Sequence, residues 1–137
     1  MKTLETGQIA PQFTLDLADG GSLSLSAILE KGPALLVFYK VNCPTCQLAL
    51  PYLGRLQGGA LQIFAVCQNP EDDAREFNRV FGVDLPTLVD RAASGYPVSN
   101  GFAITHVPSL FLVEPGGRIS WSGVGFVKTE FEMLAQR

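Results

Sequence analysis

A chain of 137 residues that is 47% hydrophobic and 17% charged can bury one real core and is too apolar to stay disordered. Its net charge of -3, with no basic run and no basic–aromatic interleaving, excludes nucleic acid and anionic membrane as natural partners. Residues 1–8 carry no apolar stretch resembling a signal peptide, and no run approaches the roughly 18 apolar residues of a spanning helix. We therefore expect one domain over residues 1–137, placed in the cytoplasm. In that reducing compartment three cysteines read as a catalytic or sensing set rather than a disulfide scaffold.

Residues 1–12 form a surface lead-in, with Ala10-Pro11 as an extended entry. Residues 13–17 alternate apolar and polar side chains, which predicts a half-buried strand. Asp19-Gly20-Gly21 is a tight turn, and residues 22–25 alternate again, completing a hairpin. Ser26 can cap a short helix over 27–30, which Gly32-Pro33 stops. Residues 34–39 are apolar without alternation, the pattern of a central strand covered on both faces.

Cys43-Pro44-Thr45-Cys46 follows that strand and opens a helical pattern. Pro51 should kink this helix, Leu50, Leu53 and Leu56 face the sheet, and Gly58-Gly59 end it. A thiol reacts as its thiolate, and the unpaired N–H groups and positive dipole end of a first helical turn favour that anion. Cys43, at or just before the turn, is expected to be the more exposed thiol. Cys46, one turn further in on the same face, can attack a mixed disulfide formed on Cys43 and close the ring. Pro44 suits the first turn, where a missing N–H costs little. Two quieter readings use the same residues: ordinary buried thiols, or a zinc site that would take Cys67 and His106, the single histidine, as further ligands. Of these we expect redox chemistry, with no metal and no cofactor.

Residues 60–67 predict the next strand. Asn69 can cap a helix with Pro70 at its first position and acids at its positive end. That helix runs to Phe81, with Phe77, Val80 and Phe81 inward, and Gly82 closes it. Residues 85–90 predict a short strand, and a short helix fits 96–100. Residues 107–113 predict a strand with a proline near its start, 114–117 a turn, and 118–122 its antiparallel partner. Gly123 and Gly125 mark a bend, and Phe131, Leu134 and Ala135 are spaced for a terminal helix within 128–137. Strands separated by helices imply parallel crossovers, whereas 109–122 implies an antiparallel pair. The class is α/β, a mixed central sheet flanked by helices.

The cysteine pair behind the first core strand, followed about 60 residues later by Val107-Pro108-Ser109-Leu110-Phe111-Leu112-Val113-Glu114-Pro115-Gly116-Gly117-Arg118-Ile119, resembles the thioredoxin fold over residues 10–137. In detail it is similar to the redoxin, alkyl hydroperoxide reductase and thiol-specific antioxidant group, including the cytochrome-maturation-type reductases. Residues 13–25 resemble that group's N-terminal β-hairpin, and 70–100 its inserted strand–helix unit. The resemblance implies a cis Val107–Pro108 bond, with the Val107 backbone beside the cysteines and free to pair with an extended substrate. It implies that Pro44, Thr45 and Gly125 border the substrate groove. The activity implied is thiol–disulfide exchange, Cys43 attacking and Cys46 resolving. The implied partners are a protein or small-molecule disulfide and a thioredoxin-type or glutathione reductant, on a monomer or weak dimer.

The chain also departs from the thioredoxin pattern. Val37 stands where a buried aspartate is usual, and Asn42 where a tryptophan precedes the first cysteine. Tyr39 occupies another aromatic position, and Lys40 lies three residues before Cys43, where an inward turn would favour the thiolate. Water or Glu114 would have to relay protons in place of the missing acid. Cys67 reads as a core residue or a resolving thiol, and His106 as a loop residue or part of the active rim. Trp121 and Phe102 read as packing residues. The alternative enzyme is a peroxiredoxin-like thiol peroxidase. Those members carry threonine or serine three residues before a single attacking cysteine and a distant arginine, here Arg91 or Arg118; residue 40 is lysine. Further alternatives are a redox sensor without turnover and a copper site at the two thiols.

Overall fold

The computed structural model describes residues 2–136. The hairpin comes first, as strands β1 (Thr14–Leu17) and β2 (Ser22–Ser24). Gly20 and Gly21 take φ of 109° and 80° between them, a conformation that admits glycine at little cost. Helix α1 (Leu25–Leu29) starts two residues earlier than the sequence suggested, because Ser24 rather than Ser26 is its cap and accepts the Ala27 N–H. Strand β3 (Ala34–Tyr39) is buried at all positions. Helix α2 (Pro44–Leu56) runs through Pro51 without interruption and buries Cys46, Ala49, Leu50 and Leu53.

Strand β4 (Gln62–Cys67) and helix α3 (Glu71–Phe81) follow, with Gly82 closing α3 at φ 65°. Pro70, not Asn69, is the capping residue of α3, and no side chain caps it; the acids Glu71, Asp72 and Asp73 occupy its first turn. Val80 is 56% exposed instead of inward, because Ala74 and Phe77 already supply the buried stripe of α3. Strand β5 (Thr87–Val89), a 3-10 turn at Ala92–Ser94 and helix α4 (Pro97–Gly101) complete the inserted unit. Strands β6 (Ser109–Val113) and β7 (Ile119–Val124) and helix α5 (Lys128–Ala135) end the fold. Strand β7 continues through Gly123, where an added Cβ would meet the Trp121 ring at 2.6 Å.

One seven-stranded sheet runs β2-β1-β5-β4-β3-β6-β7. Strands β3, β4 and β5 are parallel to their neighbours among themselves, while β1, β6 and β7 pair antiparallel. Strict alternation along the central strands splits the core into two halves. Leu35, Val37, Tyr39, Ile63, Ala65 and Cys67 face α2, α3 and α5. Ala34, Leu36, Phe38, Phe64 and Val66 face the opposite way, onto α1, α4 and Phe102. Phe38, Phe102 and Phe111 pack there with ring centroids 4.8–5.7 Å apart. The mixed sheet, its two helical faces, the N-terminal hairpin and the inserted unit are those expected from the sequence.

Candidate active site

The carboxyl end of β3 delivers the chain to the cysteines in a three-residue loop. Two side chains hold it: Gln47, which the sequence did not single out, and Asn69, which it offered only as a helix cap. Val41 N–H donates to Asn69 Oδ1 at 3.0 Å, and Gln47 Nε2 donates to the Val41 carbonyl at 3.0 Å. Asn69, freed from capping α3, thus ties the end of β4 to the loop ahead of Cys43. The only sequence signal was an amide at a strand end, which is also the signal of a cap.

Cys43 is the N-cap of α2, with Pro44 in the first turn. Its sulfur accepts the Cys46 N–H at 3.2 Å and lies 3.7 Å from the Val107 carbonyl, to which its thiol donates. An orphan helical N–H is thereby aimed at the position where negative charge on sulfur would form. Cys43 is half-buried and Cys46 wholly buried, and both are free thiols. Burial, then interaction with Cys43, pushes the Cys46 thiol far above its ordinary value, against a partial opposing effect from the Lys40 backbone. One partly accessible sulfur at a helix start and one dry sulfur a turn deeper make an asymmetric pair.

The Val107–Pro108 peptide is cis. The loop before it is fixed by Ser109 Oγ, which donates to the His106 carbonyl at 2.6 Å. Gly125 N–H donates to the Pro108 carbonyl at 2.9 Å, so Gly125 borders the same loop, at φ 85°. Pro44 and Thr45 are exposed at the front of the pair. The structure thus brings Cys43, Cys46, Val107, Pro108 and Gly125 to one end of the sheet.

The remaining candidates fall elsewhere. Lys40 is exposed, and it is its backbone that acts on Cys46. His106 is exposed, and its Nδ1 shares a hydrogen bond with Thr105 Oγ1 at 2.9 Å. Tyr39 and Cys67 are completely buried and opposite each other in the β3–β4 ladder. Val37 is buried with no ionisable side chain to offer. Glu114 is no proton relay: β6 runs antiparallel to β3 with Val113 opposite Ala34, so Glu114 follows the far end of the sheet, about 17 Å away along five strand residues. There it accepts a hydrogen bond from Ser120 Oγ. Arg118 donates to the Gly7 carbonyl at 2.6 Å, also near that far end, and Arg91 is held by Asp16 at 2.8 Å and Glu71 at 2.6 Å. Among the described residues no three His, Cys, Asp or Glu side chains gather as metal ligands.

Known proteins resemble this chain in sequence and in fold. The model of the AhpC/TSA family matches residues 6–122. The thiol-disulfide oxidoreductase ResA of Halalkalibacterium halodurans is 29% identical over 118 residues, which are 82% of this chain and 65% of that protein. The chain therefore spans just under two thirds of the length of that relative. A putative peroxiredoxin, bcp, of Helicobacter pylori is 44% identical over 48 residues, 35% of this chain and 32% of that protein. The crystal structure of the thioredoxin domain of a thiol-disulfide oxidoreductase from Bacteroides vulgatus superposes with a TM-score of 0.84 at 21% identity, covering 98% of each chain. The fold is thioredoxin-like.

Proposed function

The chain belongs to the AhpC/TSA family, and we propose that within it this protein is a thiol–disulfide oxidoreductase working through Cys43 and Cys46. The observation that carries the reading is the placement of the Cys43 sulfur, between the Cys46 N–H and the Val107 carbonyl. The thiolate of Cys43 attacks one sulfur of a substrate disulfide. That S–S bond breaks, the departing thiolate takes a proton, and a mixed disulfide remains on Cys43. Cys46 then attacks the Cys43 sulfur, the substrate leaves as its second thiol, and the Cys43–Cys46 ring carries the two electrons' worth of oxidation. A thioredoxin-type or glutathione reductant restores the dithiol.

The Val107 backbone, whose carbonyl already receives the Cys43 thiol, is the edge on which an extended substrate segment pairs. Pro44, Thr45 and Gly125 flank it, and a cytoplasmic location is part of the same proposal. The name of the Halalkalibacterium halodurans relative supports the activity. The peroxidase reading draws on the 48-residue likeness to the Helicobacter pylori protein, but here Lys40 replaces the threonine or serine, and Arg91 and Arg118 are engaged elsewhere. The test is a trapping experiment. Cys46→Ser should accumulate a covalent mixed disulfide through Cys43 when mixed with a disulfide-bonded polypeptide. Trapping by Cys43→Ser instead would reverse the roles, and trapping by neither would refute the mechanism.

A further inference from the structure

The buried face beneath the cysteines contains a polar atom that the packing does not explain. Tyr39 is fully buried, its ring against Phe77 at 4.9 Å, and its hydroxyl makes no hydrogen bond of ordinary geometry. An unsatisfied buried hydroxyl is costly, and phenylalanine would fill the same space without that cost. The groups it does act on are sulfurs. It sits on the residue opposite Cys67 in the β3–β4 ladder, close enough for mutual electrostatic influence, and negative charge on Cys46 also bears on it. Tyr39, Cys46 and Cys67 belong to one buried cluster on the α2 side of the sheet. Val37 occupies the strand position where the thioredoxin pattern has its acid, and the carboxylate that acts on the cluster is Asp73 of α3, whose charge bears on Cys67.

We propose that Tyr39 is a positioning residue for Cys46, its hydroxyl donating to the Cys46 sulfur as that sulfur becomes a thiolate and attacks the mixed disulfide. This rests on the oxidoreductase reading above. The hydroxyl keeps its own proton throughout, consistent with burial, which strongly disfavours its ionisation. Over the step the Cys46 S–H bond is lost, the Cys43–Cys46 bond forms, the Cys43–substrate bond breaks, and the departing substrate thiolate gains the proton. In the resting dithiol the hydroxyl rests against Cys67, a weak acceptor. A charged acceptor on Cys46 outcompetes it.

The test uses dithionitrobenzoate, a chromogenic aromatic disulfide, on the reduced protein. A first thiolate is released when Cys43 is captured, and a second when Cys46 displaces it. Losing one hydrogen bond to an anion lowers the thiolate fraction about tenfold. The more basic sulfur recovers part of that in nucleophilicity, so Tyr39→Phe should slow the second release about threefold from pH 6 to 8 and move its pH profile about one unit upward. The first release should be unchanged. In Cys67→Ala the second release should proceed at the wild-type rate or faster, since a competing acceptor is gone. A second release in Tyr39→Phe with the wild-type rate and profile overturns the proposal, as does slowing in Cys67→Ala alone. Failure of wild type to give any second release would strike the oxidoreductase reading and the proposal with it, whereas a normal wild-type second release that Tyr39→Phe leaves unslowed strikes the proposal alone.

Discussion

Replacing Asn69 by alanine removes one acceptor and strands one donor. Asn69 Oδ1 is the acceptor recorded for the Val41 N–H, at 3.0 Å. Val41 is half-buried and packs its side chain against the core under α2, so water reaches that N–H poorly. Leaving such a donor unpaired costs about 1–2 kcal/mol. For a domain of this size that lowers the melting temperature by about 6 °C. The same loop fixes the Cys43 sulfur over the Cys46 N–H, so ring closure should slow by up to about tenfold for a 1.4 kcal/mol loss of order. Asn69→Asp keeps an oxygen at the same point and should retain most of the stability. Urea unfolding of the reduced protein gives the first quantity, and the second thiolate release gives the other. Equal stability of Asn69→Ala and wild type, or an equal loss in Asn69→Ala and Asn69→Asp, would refute the assignment of Asn69 as the loop's anchor.

Other consequences follow from single residues. Tyr39→Phe should be as stable as wild type or up to about 1 kcal/mol more stable, because it deletes an unsatisfied hydroxyl; a loss of more than that by urea unfolding would show that the hydroxyl has a structural partner. Cys46 and Cys67 are both fully buried, and burial raises both above the ordinary 9.0. The unfolded chain therefore holds fewer protons than the native one above about pH 9, so stability falls with rising pH there, by up to about 1.4 kcal/mol per unit for each thiol. Oxidation to the Cys43–Cys46 disulfide removes one of the two, and the slope measured between pH 9 and 10 should become shallower; equal slopes in both redox states would contradict this. Asp90, fully buried, accepts the N–H groups of Val98 at 3.2 Å and Ser99 at 2.7 Å. Asp90→Ala should cost about 3 kcal/mol by exposing two unpaired donors at the start of α4, and a loss below 1 kcal/mol by urea unfolding would contradict that role.

What could be read from the chain was what period and punctuation encode. The unbroken apolar run Ala34–Tyr39 announced the central strand, and the cysteine pair behind it announced a helix start. Val107-Pro108 ahead of an alternating pair of strands marked the opposite wall of the site. What escaped depended on register and on competition between equivalent partners. Ser24 and Ser26 are both sound caps, and the turn geometry decided for Ser24. Asn69 was legible as a polar strand-end residue, but whether it capped α3 or reached back to Val41 depended on where β4 lay beside β3. The same register set Tyr39 opposite Cys67 and put Glu114 at the far end of the sheet. Val80 misled because it has the right spacing on α3, yet Ala74 and Phe77 suffice to cover the sheet there. Asp90, a carboxylate capping a helix seven residues downstream, has no local pattern at all.

The central claim, that Cys43 and Cys46 exchange disulfides as a pair, is tested most directly by stopped-flow loss of thiols from the reduced protein. The protein is mixed in parallel with a disulfide-bonded unfolded polypeptide and with hydrogen peroxide at equal concentration, with Cys43→Ser as the blank. The account predicts rapid loss of two thiols per chain with the disulfide, little with peroxide, and none in Cys43→Ser. Faster loss with peroxide, through a sulfenic acid on Cys43, would contradict it and make the protein a thiol peroxidase.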